Sequence, residues 1–194
     1  MNLVIIDYGA GNVQSVKYAL NRLGITAVLS NDPEVIKSAD KVIFPGVGAA
    51  GPAMEALKDS GLDELIPTLT QPVLGICLGM QLMCAFSEEG NVKGLGIIDV
   101  NVQKFVGEGK VPHMGWNNIK DLKSALFTDF DKSNQLYFVH SFYVPVNEYS
   151  VANCNYINNF SAAIQKDNFY ACQFHPEKSG EVGEQLLKKF IALP

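Results

Sequence analysis

Short apolar runs alternate with helical stripes along the first half of the chain. Residues 3–7 form an apolar run of the kind that makes a strand buried on both faces, and Gly9 and Gly11 interrupt it. Asn12 predicts a helix N-cap, and Gly24 predicts the end of that helix. Three further strands are predicted, with helical segments between them: 25–29, 42–44 and 73–76.

Capping and turn signals predict the connections between these strands. Asp32-Pro33-Glu34 combines an N-cap, a proline at the first helical position and an acid in the first turn. A turn is predicted at residues 45–48, and helical periodicity runs over residues 54–69 with a break at Gly61. Residues 78–86 are predicted as a helix that directly follows the fourth strand.

The second half of the chain has a different pattern. Ile98, Val100 and Val102 alternate with polar residues, which is typical of a half-solvated antiparallel strand. Four strand-like runs and a final amphipathic helix follow: 136–139, 150–156, 161–165, 170–174, and the helix carrying Val182, Leu186, Phe190 and Ile191. Because alternating strands and helices require parallel pairing, we predict one α/β domain over residues 1–194, with a mixed, mostly parallel sheet flanked by helices.

Composition and charge exclude several classes of protein. Apolar residues make up 47% and charged residues 18% of the chain, which is a globular balance. No apolar run approaches the ~20 residues of a membrane span. A formal charge of -5 argues against nucleic-acid binding, which needs a basic surface. The start of the chain has no basic segment or cleavage site typical of a secretory signal, so we expect a reducing cytoplasm.

Cofactor and metal signals are weak. Gly9-Ala10-Gly11 follows the first strand but lacks the third glycine of a dinucleotide loop, since position 14 is Gln14. Four cysteines and three histidines show no pair at zinc-ligand spacing. We therefore expect neither a cofactor nor a metal.

The segment Gly75-Ile76-Cys77-Leu78-Gly79 places a cysteine between a buried strand and a helix, with a glycine two residues away on each side. This is the pattern of a nucleophile elbow, in which a tight turn exposes the nucleophile and only small neighbours fit. The start of a helix also favours the thiolate form of a cysteine. A buried structural cysteine explains this pentapeptide equally well, because free cysteine is among the most buried residue types.

The segment Gln173-Phe174-His175-Pro176-Glu177 favours the catalytic interpretation. A thiol nucleophile needs a base, and the base needs an orienting carboxylate. His175 and Glu177 are two residues apart, so in extended backbone both side chains would project to the same side. Sites in parallel sheets form at the carboxyl ends of strands, where both segments are predicted to lie.

These motifs resemble a known family. Gly-x-Cys-x-Gly followed by Gln81, together with His-Pro-Glu near the C-terminus, is similar to the class I (triad) glutamine amidotransferases, whose fold is flavodoxin-like. Three further segments resemble the glutaminase subunits of imidazole glycerol phosphate synthase: Asp7-Tyr8-Gly9-Ala10-Gly11-Asn12, Pro45-Gly46-Val47-Gly48 and Pro112-His113-Met114-Gly115-Trp116-Asn117. The resemblance spans residue 5 to about residue 180.

The resemblance implies a role for each matching residue. Cys77 would attack the side-chain amide of glutamine, His175 would transfer protons, and Glu177 would orient the imidazole. Three residues would supply backbone N–H groups to the oxyanion: Leu78, Val47 and Gly48. Four would contact the substrate: Gln81, Ser141, Phe142 and Gly46. Four would lie on a partner-binding face: Asn12, Trp116, Tyr137 and Lys178.

The resemblance also implies a partner, a cyclase subunit of (β/α)₈ barrel type that forms a heterodimer with this chain and uses its ammonia in histidine biosynthesis. Two alternatives stay open: a related triad subunit or a paralogue serving a surface-sugar pathway, and a non-catalytic interaction protein that keeps Cys77 as an ordinary or redox-responsive thiol. Among the other candidates, His113 is expected in a surface loop and His140 in a core hydrogen bond. Cys84 and Cys172 are expected in the core.

Overall fold

A central mixed sheet organises the chain in the computed structural model, which describes residues 1–131 and 133–194. The strands are β1 Leu3–Ile6, β2 Val28–Ser30, β3 Lys41–Gly46, β4 Val73–Cys77, β5 Cys84–Ser87, β6 Val92–Lys93, β7 Ile98–Lys104, β8 His113–Asn118, β9 Gln135–His140, β10 Phe142–Tyr143, β11 Ser150–Asn155, β12 Asn159–Lys166 and β13 Phe169–Cys172. The α-helices are α1 Val13–Arg22, α2 Pro33–Lys37, α3 Ala50–Asp59, α4 Leu62–Leu65, α5 Leu78–Leu82 and α6 Gly180–Ile191.

The central sheet has the strand order β11-β12-β13-β4-β3-β1-β2. Its five strands from β13 to β2 pair in parallel, and β11 and β12 add an antiparallel edge. The predicted α/β fold with a mixed, mostly parallel sheet is therefore confirmed. This order places the carboxyl ends of β13, β4 and β3 side by side, and these are the strands that lead into the predicted site segments.

The central sheet divides the apolar core in two, with one cluster on each face. Along β1, the side chains of Val4 and Ile6 pack into one apolar cluster, and those of Leu3 and Ile5 pack into the other. Successive strand residues point to opposite faces, so a strand buried on both sides must be apolar throughout. The apolar run at residues 3–7 predicted this arrangement.

Local capping signals correctly predicted where α1 and α2 begin. Asn12 caps α1 by accepting a hydrogen bond from the Ser15 N–H, and Asp32 caps α2 through the Glu34 N–H. Gly61 has a φ of 69° and separates α3 from α4, as the break in periodicity predicted.

Several predicted boundaries were wrong. Residues 78–86 do not form one helix, because α5 ends at Leu82 and Cys84–Ser87 forms β5. The short apolar run there is compatible with a helix or a strand, and pairing with β6 and β7 selects the strand. The strand β7 pairs in parallel with β5 and antiparallel with β10, so it is not simply antiparallel.

The third strand is also longer than predicted, since β3 continues through Pro45 to Gly46. Proline has no N–H for a ladder, and the pairing of β1 with β3 stops at Ile43, before Pro45. The remaining strands form two small sheets, in the orders β10-β7-β5-β6 and β8-β9, which the sequence pattern did not predict. Among the described residues, no helix is long and apolar enough to cross a membrane.

Close backbone packing fixes the junction between β4 and α5. A Cβ built on Gly79 would lie 2.0 Å from the Phe44 carbonyl oxygen, and one on Gly46 would lie 2.7 Å from the Gly79 nitrogen. The helix α5 therefore rests directly on the backbone of β3. Only glycine fits at these two positions, and the approach holds Cys77 at the end of β4.

We predict that Gly79→Ala lowers the free energy of unfolding by about 1–3 kcal/mol or more, because its Cβ would overlap a backbone carbonyl that cannot move independently. Gly51→Ala is the matched control, since a Cβ there meets no atom within 4 Å. That variant should be neutral or up to about 1 kcal/mol more stable. Urea unfolding measures both, and equal stability of the two variants would contradict this packing.

Candidate active site

Cys77 lies at the sharp junction between β4 and α5. Its backbone has a φ of 53° and a ψ of -107°, a conformation that a side-chain-bearing residue rarely adopts. The side chain lines a cavity of about 620 Å³, a volume within the usual range of small-molecule sites. Cys77 is thus held in a strained turn at the cavity wall, as the elbow pattern predicts.

His175 and Glu177 lie directly beside this elbow. The Nδ1 atom of His175 is 2.8 Å from the Oε1 atom of Glu177, and both side chains are 99% buried. The expected extended backbone was wrong, because residues Pro176–Lys178 form a 3₁₀ turn. The turn still brings the two side chains together, since the carboxylate folds back onto the imidazole.

Backbone contacts fix His175 independently of its side chain. Its N–H donates to the Tyr137 carbonyl at 2.9 Å, and the Ser179 hydroxyl donates to its carbonyl at 2.6 Å. The same hydroxyl accepts from the Tyr137 N–H at 3.0 Å. The backbone of His175 is therefore anchored to β9 and to Ser179, the N-cap residue of α6.

The second ring nitrogen of His175 is available for proton transfer. Its Nε2 atom is buried and has no hydrogen-bond partner in the structure, and the Cys77 thiol is its ionisable neighbour. Burial alone would lower the pKa of His175, but interactions with Cys77 and Glu177 outweigh burial and raise it to about 9. The carboxylate accepts from Nδ1–H, which leaves Nε2 to face the thiol.

The predicted oxyanion donors surround the same cavity. Leu78, Val47 and Gly48 all line it. Leu78 is the first residue of α5, so its N–H has no partner within the helix. Gly48 has a φ of 99°, and its surroundings are open. The segment after β3 is therefore next to the elbow and free of close packing at Gly48.

Three of the four predicted substrate residues line the cavity: Gln81, Ser141 and Phe142. The Nε2 atom of Gln81 donates to the Phe142 carbonyl at 2.9 Å. Gly46 differs, because it pairs with Cys77 inside the sheet and packs behind the elbow. The structure therefore does not bring Gly46 to the cavity wall.

Glu89 lines the cavity and was missed in the sequence. Its carboxylate accepts from the Ala50 N–H at 2.9 Å, and burial raises the pKa of this carboxyl while that hydrogen bond opposes the change. Glu89 follows β5, a strand that the sequence pattern predicted as part of a helix. No local signal in the sequence placed this acid at the cavity.

The expectation of a surface loop for His113 was wrong. His113 begins β8, is 97% buried and stacks on Phe138 and Tyr156 at ring-centroid distances of 4.9 and 4.1 Å. Its apolar neighbours come from strands distant in sequence, which local polarity could not predict. Its Nδ1 atom lies 3.0 Å from Nε2 of His140.

His140 forms the core hydrogen bond expected of it and also lines the cavity. Its Nδ1 atom lies 2.8 Å from the Phe142 carbonyl. A carbonyl only accepts, so His140 donates from Nδ1 and accepts at Nε2 from His113. Burial lowers the pKa of His113 to about 4 and is the main cause that lowers that of His140 to about 3, so both rings are neutral.

The four predicted partner residues fall into two pairs. Asn12 and Lys178 line the cavity. Trp116 and Tyr137 face each other across β8 and β9, with ring centroids 5.8 Å apart, and Trp116 is 53% exposed. Cys84 and Cys172 are buried in the core, as expected.

Comparison with known proteins shows the family and the fold to which the chain is similar. The family described as Glutamine amidotransferase class-I matches residues 4–193. Solved structures share the fold: "Structure of PurLQS from Thermotoga maritima" has a TM-score of 0.76 at 16% identity, over 98% of this chain and 97% of that chain. A crystal structure of a glutamine amidotransferase has a TM-score of 0.76 at 17% identity, over 97% of this chain and 96% of that chain.

Two curated relatives match at full length. The Imidazole glycerol phosphate synthase subunit HisH of Bacteroides fragilis (strain YCH46) is 61% identical over 196 residues, covering 100% of both chains. The protein of the same name from Escherichia coli (strain K12) is 50% identical, also over 100% of both chains. The chain therefore belongs to the class-I glutamine amidotransferases, in the family of the HisH subunits of imidazole glycerol phosphate synthase.

Proposed function

We propose that this chain hydrolyses L-glutamine to glutamate and ammonia, with Cys77, His175 and Glu177 as its catalytic triad. The observation that carries the proposal is the cavity in which a strained elbow cysteine faces a histidine held by a buried carboxylate. The relatives are named as subunits of a synthase, which supports a role as the ammonia-producing half.

The first half of the reaction forms a thioester. The Cys77 thiolate attacks the side-chain carbonyl carbon of glutamine, and the C–O π electrons move onto oxygen. His175, protonated at Nε2, gives that proton to the nitrogen as the C–N bond breaks. Ammonia leaves, and a glutamyl thioester remains on Cys77.

The second half releases glutamate. The imidazole of His175, now neutral, takes a proton from water while the oxygen attacks the thioester carbonyl. The C–S bond breaks, the sulfur leaves as thiolate, and glutamate dissociates. Glu177 keeps Nδ1 protonated throughout, so Nε2 alone exchanges protons with the reactants.

The oxyanion of both tetrahedral intermediates needs donors at the elbow. We assign the Leu78 N–H and a backbone N–H from Val47 or Gly48, and donors of this kind are each worth about 10²–10³ in rate. The open surroundings of Gly48 support a peptide that can turn between two orientations. The hole would then be completed when a partner binds at the cavity mouth.

The amino-acid end of glutamine needs an anion and a set of polar acceptors and donors. We assign the Glu89 carboxylate to the α-ammonium group, because it is the acid that lines the cavity. The backbone at Ser141 and Phe142 and the side chain of Gln81 would hold the rest of the substrate. Gly46 would act indirectly, by letting β3 approach the elbow.

The partner would be a cyclase subunit of (β/α)₈ barrel type, which receives ammonia and produces imidazole glycerol phosphate and an aminoimidazole carboxamide ribotide for histidine biosynthesis. The exposed side chains of Met114 and Trp116 on β8 support a docking surface there. Tyr137, Asn12 and Lys178 would extend it to the cavity mouth.

The heterodimer would be cytoplasmic, where the four free cysteines stay reduced. Two other possibilities have less support. A paralogous acceptor pathway would use the same glutaminase chemistry with another partner. A non-catalytic binding protein would have no use for a buried histidine–carboxylate pair beside a strained cysteine.

We predict that Cys77→Ala and Cys77→Ser abolish glutamine hydrolysis by the chain mixed with its cyclase, because the sulfur is the nucleophile. His175→Ala should be comparably inactive, since members of a triad act as a unit. The same mixtures should still make product from added ammonia at high pH, because ammonia use needs no triad. Appreciable glutaminase activity in Cys77→Ala would contradict the assignment.

We predict that kcat/KM falls as pH rises through about 9, because His175 must carry a proton to release ammonia and its pKa is raised to about 9. Glu177→Gln removes a negative partner, so the alkaline limb should move to lower pH. NMR titration of the histidines provides the check, because His113 and His140 are neutral above about pH 5. A His175 that titrates near its ordinary pKa of about 6.5 would contradict this account.

A further inference from the structure

We propose that Gln173 is a further catalytic residue, whose side-chain amide donates an N–H to the Cys77 sulfur and holds it as a thiolate. The Nε2 atom of Gln173 lies 3.6 Å from the Cys77 sulfur. The inference rests on the proposed function, in which that sulfur is the nucleophile. It concerns a second group, besides His175, that contacts the reacting atom.

The position of Gln173 is fixed by burial and by two anchors. The residue is completely buried, and its backbone N–H donates to the Ala162 carbonyl at 2.8 Å. Its Oε1 atom accepts from Nε2 of Gln81 at 2.8 Å. A long polar side chain that is held at its backbone and at its oxygen has little conformational freedom. The orientation of its amide nitrogen is therefore fixed by these two hydrogen bonds.

Hydrogen-bond direction assigns the two ends of the Gln173 amide. The Phe142 carbonyl only accepts, so the atom of Gln81 that contacts it must be the nitrogen. That nitrogen also faces Gln173, so the atom of Gln173 beside it is the oxygen. The other end of the Gln173 amide, which contacts the sulfur, is therefore the nitrogen.

The partners around the sulfur then have distinct roles. The Val139 carbonyl, 3.8 Å from the sulfur, can only accept a hydrogen bond, so it pairs with a thiol. The Gln173 amide can only donate to the sulfur, and it cannot surrender its proton at neutral pH. It therefore favours the thiolate before attack and receives the thiolate again when the thioester is hydrolysed.

The same contacts link the sulfur to the substrate-binding wall. Gln81 donates one proton to Gln173 and the other to the Phe142 carbonyl, and that carbonyl also accepts from His140. The nucleophile and the predicted substrate segment thus share one hydrogen-bond network. A substitution at Gln173 should therefore change the reactivity of the sulfur directly, and the substrate contacts only indirectly, through Gln81.

The experiment compares Gln173→Met with Gln165→Met. Both replace a glutamine by an apolar side chain of similar length, but Gln165 lies on β12 and bonds Ser124, away from the cavity. The first readout is the alkylation rate of Cys77 by iodoacetamide, together with the ultraviolet absorbance of the thiolate. Burial raises the pKa of Cys84 and Cys154 to about 12, and that of Cys172 well above its ordinary value. These three thiols should therefore contribute neither alkylation nor thiolate absorbance at neutral pH.

We expect Gln173→Met to lower kcat and the alkylation rate at neutral pH by about 10–100-fold, the range of a lost hydrogen bond to a charged group. Gln165→Met should leave both rates unchanged. Gln173→Glu keeps an oxygen for Gln81 but puts an acid beside the sulfur, and it should also alkylate slowly. Urea unfolding of each variant identifies any loss of rate that is caused by misfolding.

Wild-type alkylation and thiolate absorbance in folded Gln173→Met or Gln173→Glu would overturn the proposal, even if kcat falls. This outcome is distinct from failure of the proposed function. The proposed function itself fails if the wild-type chain with its cyclase does not hydrolyse glutamine, or if Cys77→Ala hydrolyses it equally well. The inference about Gln173 would then fail with it.

Discussion

The site depends on the left-handed turn at Cys77, between β4 and α5. A residue with a side chain occupies a φ of 53° only if the surrounding structure compensates for the strain. The compensation is close packing, since α5 rests on β3 through Gly79 and Gly46 with no room for a Cβ. The parallel order β13-β4-β3 then brings the segments after the neighbouring strands to the cysteine.

Hydrogen bonds from buried, neutral groups hold the cavity wall around this turn. His113, His140, Gln81 and Gln173 form a network that converges on the Phe142 carbonyl and ends at the sulfur. His175 differs from the other two histidines because a carboxylate pairs with it. Burial alone gives neutral rings that position other groups, whereas burial with a buried anion gives a ring that holds a proton.

The sequence predicted the parts of the molecule that depend on local rules. The apolar run at residues 3–7 reflects burial of a strand on both faces, the cap at Asn12 a single hydrogen bond, and the glycine pattern around Cys77 backbone sterics. It did not predict the positions of Glu89, His113 or Gln173, whose partners come from segments distant in the chain. The strand β5 was mistaken for a helix because a short apolar run fits both helix and strand, and pairing with β6 and β7 selects the strand.

In the proposed function, Cys77 is the reactive group of a glutamine site. A chloroketone analogue of glutamine tests it directly, with mass spectrometry to locate and count the label. The account predicts one label per chain, on the Cys77 sulfur, with free glutamine protecting it. Cys84, Cys154 and Cys172 should stay unlabelled because none of the three lines the cavity. Labelling at another residue, or an unlabelled Cys77 in the presence of the cyclase, would contradict the account.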